Sequence, residues 1–303
     1  MRIRLMIEGQ EGVSWAQWVA LARAAEESGL EGLFRSDHYA GLMGEEARGS
    51  LDAWTQIAAL AAVTERLRLG TMVSPVTFRH PSLLAKAVVT AEHVAPGRIE
   101  LGMGAGWNVR EHEAYGFPFP DLPERLELLE EQVEIVVRSW TEDEFSFAGK
   151  HYRLDRVRAE PKPTRRPRLI IGGKAAPRTV RLAKRWADEY NTAFATVEEC
   201  RERAERVAPL PLTLMTGCVV GRDRAELHER VRRVMERMRV DGSPEDFVRE
   251  RRDVMILGTV DEVVESLAEY EAAGVQCVYL QHLAHDDAEM VRLIGRELVR
   301  TYS

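Results

Sequence analysis

Asp37 and His38 stand side by side where a short apolar run, Gly32–Ser36, ends. Imidazole changes charge near neutral pH, so a histidine mounted at a strand end can hand over or take up a proton. Successive residues of a strand face opposite ways, so Asp37 need not orient His38. Glu8 and Gln10 follow another apolar run, Ile3–Ile7, and are either substrate contacts or plain polar groups at a strand end. Two glycine clusters offer a different chemistry. In the stretch Gly102 to Asn108, with Gly104, Ala105, Gly106 and Trp107, alternate glycines bare one face of the backbone so that a flat or phosphorylated ligand can lie against it. In Gly172-Gly173-Lys174-Ala175-Ala176-Pro177-Arg178-Thr179 a glycine turn runs into a helix start. Amides exposed there suit an anion, with Lys174 or Arg178 adding charge. Neither cluster is a nucleotide fingerprint: the first has its third glycine one position early for G-x-G-x-x-G, and the second lacks the G-K-[ST] ending. Cys200, Cys218 and Cys277 are scattered and no second ligand lies at metal spacing from His38, so no metal site is expected.

These residues need elements to position them, and the chain supplies a regular alternation. Apolar runs at Ile3–Ile7, Gly32–Ser36, Arg68–Val73, Ile99–Gly102, Arg168–Ile171, Asp188–Asn191, Leu212–Val220 and Gln276–Leu280 read as strands. Between them lie helical stripes. Ser14/Gln17, Asp121/Glu124, Asp223/Glu226 and Thr259/Glu262 have the spacing of helix caps. Trp15 and Trp18 fall on one helical stripe and are expected in the core, as are Met235 and Met238. Tyr39–Ser50 and Trp107–Pro120 read as polar loops. Thr141–Arg166 reads as an insertion with a small hairpin, and Asp241–Arg252 as a second polar insertion. Strands joined by helices imply a parallel sheet. Eight such units predict a single α/β domain over residues 1–303, a closed (β/α)8 TIM barrel with loop insertions, with an open doubly wound sheet as the alternative because the alternation alone does not show closure. Its site lies at the C-terminal ends of the strands. That rule gathers Glu8, Gln10, Asp37, His38, the two glycine clusters, Asn191, Gln281 and His282.

Composition narrows the partners. The 303 residues are 45% hydrophobic and 30% charged, with a net charge of -7, which speaks against a nucleic-acid partner. The start of the chain lacks the pattern of a secretory signal, and no stretch nears ~20 apolar residues, so no membrane partner is expected. An odd number of scattered thiols suits a reducing cytosol, and a cytoplasmic protein is the expectation.

The motifs stand in a familiar order. L-M-I-E-G-Q-E-G at Leu5–Gly12, L-F-R-S-D-H at Leu33–His38, L-R-L-G-T-M-V-S-P at Leu67–Pro75, R-H-P at Arg79–Pro81, G-R-I-E-L-G-M-G-A-G-W-N at Gly97–Asn108, Y-G-F-P-F at Tyr115–Phe119, K-P-T at Lys162–Thr164, I-G-G at Ile171–Gly173, A-D-E-Y-N at Ala187–Asn191, L-G-T-V-D-E-V at Leu257–Val263 and A-G-V at Ala273–Val275 are collinear over nearly the whole chain. Together they resemble the luciferase-like monooxygenase superfamily, and within it the branch of oxidoreductases that use the deazaflavin coenzyme F420. The resemblance implies a TIM barrel with the ring of the cofactor at its C-terminal mouth. It implies ring contacts from Asp37, His38 and a non-proline cis peptide at Met72-Val73. Gly104, Ala105, Gly106 and Trp107 would line the ring and side chain, and Gly172, Gly173 and the following helix start would hold the phosphate. The branch often has further glycines where Lys174-Ala175-Ala176-Pro177 stand here. One F420-using relative carries an acid where this chain has Trp107, which leaves His38 as the catalytic candidate. The implied activity is hydride transfer between F420 and a small organic molecule, with Glu8 and Gln10 toward the substrate. The alternatives are an FMN-dependent monooxygenase on the same barrel and a non-catalytic flavin-binding subunit. The family tendency is a homo-oligomer.

Overall fold

Ten parallel strand segments and the helices between them carry the site. In the computed structural model, residues 1–42 and 48–302 are described. Part of the loop read as Tyr39–Ser50, residues 43–47, therefore lies outside the described residues. The strands are β1 (Arg2–Ile7), β2 (Gly32–Arg35), β3 (Arg68–Thr71), the two-residue β4 (Ser74–Pro75), β5 (Ile99–Gly104), the hairpin β6 (Phe145–Ala148) and β7 (Arg153–Val157), then β8 (Arg168–Gly172), β9 (Glu189–Ala193), β10 (Leu212–Gly221), β11 (Ile256–Thr259) and β12 (Val275–His282). The helices are α1 (Trp15–Glu27), α2 (Ala53–Val63), α3 (Pro81–Val94), α4 (Val109–Tyr115), α5 (Leu122–Thr141), α6 (Pro177–Trp186), α7 (Val197–Val207), α8 (Arg224–Met238), α9 (Pro244–Arg251), α10 (Val260–Ala272) and α11 (Ala288–Leu293), which runs on to the C-terminus through a π turn.

β1, β2, β3, β5, β8, β9, β10 and β12 pair in that order, all parallel, and β12 returns to β1. The sheet is the closed eight-stranded barrel expected from the alternation. β10 outruns the ring, and its last residues, Cys218–Gly221, take β11 as an extra partner. Among the described residues no helix is long and apolar enough to cross a membrane.

The period of two along each strand sorts residues between two layers. On β1, Ile3, Leu5 and Ile7 pack outward into the layer between barrel and helices, while Met6 joins Phe34, Met72, Ile170, Met215, Cys277 and Tyr279 inside the barrel. The N-terminal end of the barrel is closed by polar groups. Arg4, wholly buried, donates to Glu100 at 2.8 Å and to the Tyr279 hydroxyl at 2.8 Å, and Tyr279 in turn donates to Glu189 at 2.7 Å. Buried charges persist only when paired and hydrogen-bonded, and here each carboxylate has a cation or hydroxyl donor.

The predicted caps are in place. Ser14 and Gln17, and Thr259 and Glu262, form reciprocal boxes, and Asp121 and Asp223 accept from the amides of Glu124 and Glu226. Three expectations need correction. Trp107–Pro120 is not all loop, because it contains α4. At seven residues, ended by Gly116 with φ +69°, this helix is too short to leave a hydrophobic period. Asp241–Arg252 is likewise mostly α9, capped by Ser243. Trp15 lies at the exposed start of α1, 40% accessible, whereas Trp18 is buried.

Candidate active site

His38 reaches the cavity through strand parity. Phe34 points into the barrel, and the alternation continues through Ser36, which donates to Gln10 Oε1, to His38 at the mouth. His38 Nδ1 lies 2.6 Å from Glu111 Oε2 on α4. A carboxylate only accepts, so Nδ1 carries the proton and donates, which leaves Nε2 with no hydrogen bond among the described residues. Glu111 has no exposed surface, and its other oxygen accepts the amides of Tyr39 and Ala40, the latter at 3.1 Å. Burial disfavours the His38 imidazolium. The hydrogen bond and charge of Glu111, with the charges of Glu8 and Asp37, outweigh that and hold its pKa above the ordinary histidine value. Burial likewise works against an ionised Glu111, but the bonds from His38, Tyr39 and Ala40 keep its pKa below the ordinary carboxylate value.

His112, next along α4, also lines the cavity but has both ring nitrogens engaged. Nδ1 is 2.6 Å from the Asn108 carbonyl oxygen, so it donates, and Nε2 accepts from the Thr77 hydroxyl at 2.6 Å. Glu111 and His112 were missed in the sequence. The signal for α4 is too short, and Glu111 meets His38 across 73 residues of chain.

Asp37 faces the other way, as parity requires. It accepts from Ser74 Oγ at 2.6 Å and from Arg79 Nη1 at 2.5 Å, and Arg79 also donates to Asp52 at 2.6 Å. Trp54 Nε1 donates to the same Ser74 at 3.1 Å. Asp37 is therefore part of the wall that ties the end of β2 to β4 and the start of α2, and it does not line the cavity.

The Met72-Val73 peptide is cis, as the resemblance implied, and sits between β3 and β4. The Val73 side chain lies against three of the glycines. A Cβ on Gly104 would lie 2.8 Å from Val73 Cγ2, one on Gly102 2.9 Å from Cγ1, and one on Gly172 3.1 Å from Cγ1. Gly104 is thus required by the protein's own bulge, while a Cβ on Gly102 would meet the Thr71 carbonyl oxygen closer still. Gly106 is different: its φ of +79° turns the chain toward α4.

One cavity of about 540 Å³ joins these parts. Its walls include His38, Met72, Val73, Gly104, Ala105, Gly106, Trp107, Gly172, Gly173, Lys174 and Arg178, which are all the residues expected at the cofactor apart from Asp37. Ala176, Thr179 and Asn191, from the helix-start motif and a strand end, also line it, while Leu122, Leu126 and Met215 complete much of the wall and carry no motif that would flag them. At the far end from His38 the anion chemistry differs from expectation. The Gly173 amide donates to Asn191 O at 3.0 Å and the Ala175 amide to the Tyr190 hydroxyl at 2.9 Å, so neither is open. Arg178 is matched by Glu130 through two bonds of 2.8 and 2.7 Å. What is open is the start of α6. Ala176 occupies the cap position with no side-chain bond to the helix, and exposed Lys174 has no charged partner among the described residues. Glu8 and Gln10 do not line this cavity. Gln10 donates to Glu8 at 2.6 Å, and Gln281 also donates to Glu8, which makes a buried polar cluster at the C-terminal ends of β1 and β12.

The class is set by the fold: a parallel (β/α)8 barrel whose strand ends gather an oriented histidine, a cis-peptide bulge and an uncapped helix start around one cavity. Within that class the chain belongs to the luciferase-like monooxygenase family, which it matches over residues 2–277. It is 38% identical over 175 residues to an F420-dependent glucose-6-phosphate dehydrogenase of Nakamurella multipartita, covering 57% of this chain but only half the length of that relative. It is 25% identical over 311 residues to the protein of the same name from Microbacterium testaceum, covering 91% of this chain and 90% of the other. An FMNH(2)-dependent dimethylsulfone monooxygenase of Pseudomonas putida is 31% identical over 188 residues, covering 62% of this chain and 51% of that one. The fold is shared along its full length by the monooxygenase RslO1 of Streptomyces bottropensis, with a TM-score of 0.83 at 23% identity and 100% of both chains covered.

Proposed function

We propose that this chain is an oxidoreductase that moves a hydride between coenzyme F420 and a small organic substrate at the mouth of the barrel. The observation that carries this reading is the polarity of the cavity, with a proton-transfer group, His38, at one end and an open helix start with Lys174 at the other. The two F420-dependent relatives support the choice of cofactor.

The residues fit such a group. The volume lies within the usual range for cofactor sites, and the walls between the ends are largely apolar, from Met72, Val73, Ala105, Trp107 and Met215. The uncapped amides of α6 and the Lys174 ammonium suit an anionic tail. A bound deazaflavin supplies the hydride chemistry. The chain's own part is to orient and to manage the proton: His38 Nε2 gives up or accepts the proton that balances the hydride, and Val73, backed by Gly102, Gly104 and Gly172, presses on whatever lies in the cavity.

Titration of the purified protein with F420 and, separately, with FMN tests this. F420 binding followed by substrate-dependent change in its absorbance is expected, and tight FMN binding without F420 binding overturns the reading. The second reading, a reduced-FMN monooxygenase, is favoured by the dimethylsulfone monooxygenase relative and is distinguished by oxygen uptake with reduced FMN.

A further inference from the structure

We propose that Glu111 is a positioning residue for His38: it fixes the Nδ1–H tautomer, so that Nε2 alone faces the cavity. This rests on the assignment of His38 as the proton-transfer group.

The geometry separates two functions in one carboxylate. Oε2 takes the His38 Nδ1 proton at 2.6 Å, and Asn108 Nδ2 approaches the same oxygen at 3.4 Å. Oε1 takes the two consecutive amides of Tyr39 and Ala40. Four donors converge on a group with no acceptor-seeking proton of its own, so Glu111 stays ionised and His38 has one ring orientation. Asp37, the neighbouring acid in the sequence, cannot do this, because Arg79 and Ser74 hold it on the opposite side of the strand. Glu8, the other acid that acts on His38, has its oxygens bonded to Gln10 and Gln281. Trp107 and Phe78 cover the ring edge-on, with centroids at 5.8 and 6.5 Å, and bring no charge. Glu111 is thus the carboxylate in direct contact with the imidazole. It also ties α4 to the turn after β2, so the ring is oriented only when these two loops are docked.

Glu111→Gln is the informative change, because it keeps an acceptor for the Tyr39 and Ala40 amides while turning an NH2 group toward His38 Nδ1. That reverses the tautomer. In the protein without added ligand, 15N-detected histidine NMR is expected to show Nδ1 protonated in the parent and His38 titrating above the ordinary histidine value. In Glu111→Gln the proton moves to Nε2 and the titration falls. With F420 and substrate, kcat falls about 10–100-fold, and the acidic limb of kcat/KM moves to lower pH while F420 affinity holds. Glu111→Asp restores part of the loss. An unchanged His38 tautomer and titration in folded Glu111→Gln overturns the proposal. Should the parent show no F420 binding, the proposed function fails while the NMR comparison still decides the role of Glu111.

Discussion

The chemistry proposed here depends on very few atoms, and the first of them is His38 Nε2. Removing it while leaving the cavity intact separates proton transfer from binding. His38→Asn is expected to lower kcat by roughly 10²–10⁴-fold, the usual worth of a positioned general acid or base. The dissociation constant for F420 measured by fluorescence should stay near that of the parent. The second critical contact lies between Val73 and the glycines facing it. Gly104→Ala places a methyl group 2.8 Å from Val73 Cγ2, an overpacking expected to destabilise the fold by about 1–3 kcal/mol. In a Val73→Ala background the same change should cost much less, and thermal denaturation of the four proteins measures that coupling. These two sites differ in how legible they are. The pattern of apolar runs placed His38 at a strand end, and parity separated it from Asp37. The glycines were legible as a place of close approach, but their partner was not. Nothing local in G-M-G-A-G says that Val73, some thirty residues earlier, fills the space.

At the scale of elements, the strand and helix series was readable because long periodic segments announce themselves. The cap spacings Asp121/Glu124 and Asp223/Glu226 marked the starts of α5 and α8, and α5 carries the stripe that includes Leu129, Val133, Val137 and Trp140. The failures, α4 and α9, are short and strongly charged, and their helicity is set by caps and tertiary contact rather than by a hydrophobic period. α4 is the costlier miss because it carries Glu111. The start of α6 gives the sharpest test of an element. Ser, Thr or Asp caps many helices of this chain, while α6 has Ala176 at its cap position. Ala176→Asp should supply the missing cap and raise stability by about 0.5–2 kcal/mol. The same carboxylate would occupy the amides and repel an anionic tail, so F420 and FMN affinity should both fall, more at low ionic strength. A rise in melting temperature with unaltered cofactor affinity would show that the tail is held elsewhere.

Across the whole molecule, buried titratable groups set how stability responds to pH, and two histidines act in opposite directions. His38 has a raised native pKa, so its contribution is full below about pH 6.5 and is lost as pH rises through the native value. His282, on the outer face of β12, is fully buried, and neither ring nitrogen has a hydrogen-bond partner among the described residues. Burial pushes its pKa down to about 4, with Asp287 and Asp286 opposing and Arg230 and Arg233 assisting. The unfolded chain therefore takes up a proton that the native state refuses. The stability tied to neutral His282 is full above about pH 6.5 and drains away as pH falls toward 4. His282→Leu is expected to flatten the fall in melting temperature between pH 6.5 and 4 relative to the parent. The plug at the other end of the barrel is just as global. Arg4→Met leaves Glu100 buried without its nearest cation, a loss expected at about 3–5 kcal/mol by chemical denaturation. The number of strand units pointed to a barrel but did not exclude an open sheet, because closure rests on the pairing of β12 with β1. The residues that seal the barrel were not legible either. Arg4, Glu100 and Glu189 read as ordinary charges until the ring brings them together.

Trp107 gives the chain an optical handle on its own chemistry. Its indole is 64% accessible and stands edge-on to His38 with ring centres 5.8 Å apart, at the lip of the cavity. A protonated imidazole quenches indole emission by electron transfer, and a neutral one does so weakly. The difference in fluorescence between the parent and Trp107→Phe, followed against pH, therefore reports the charge on His38 without label or substrate. Followed against added ligand, the same difference records when the lip of the cavity is covered.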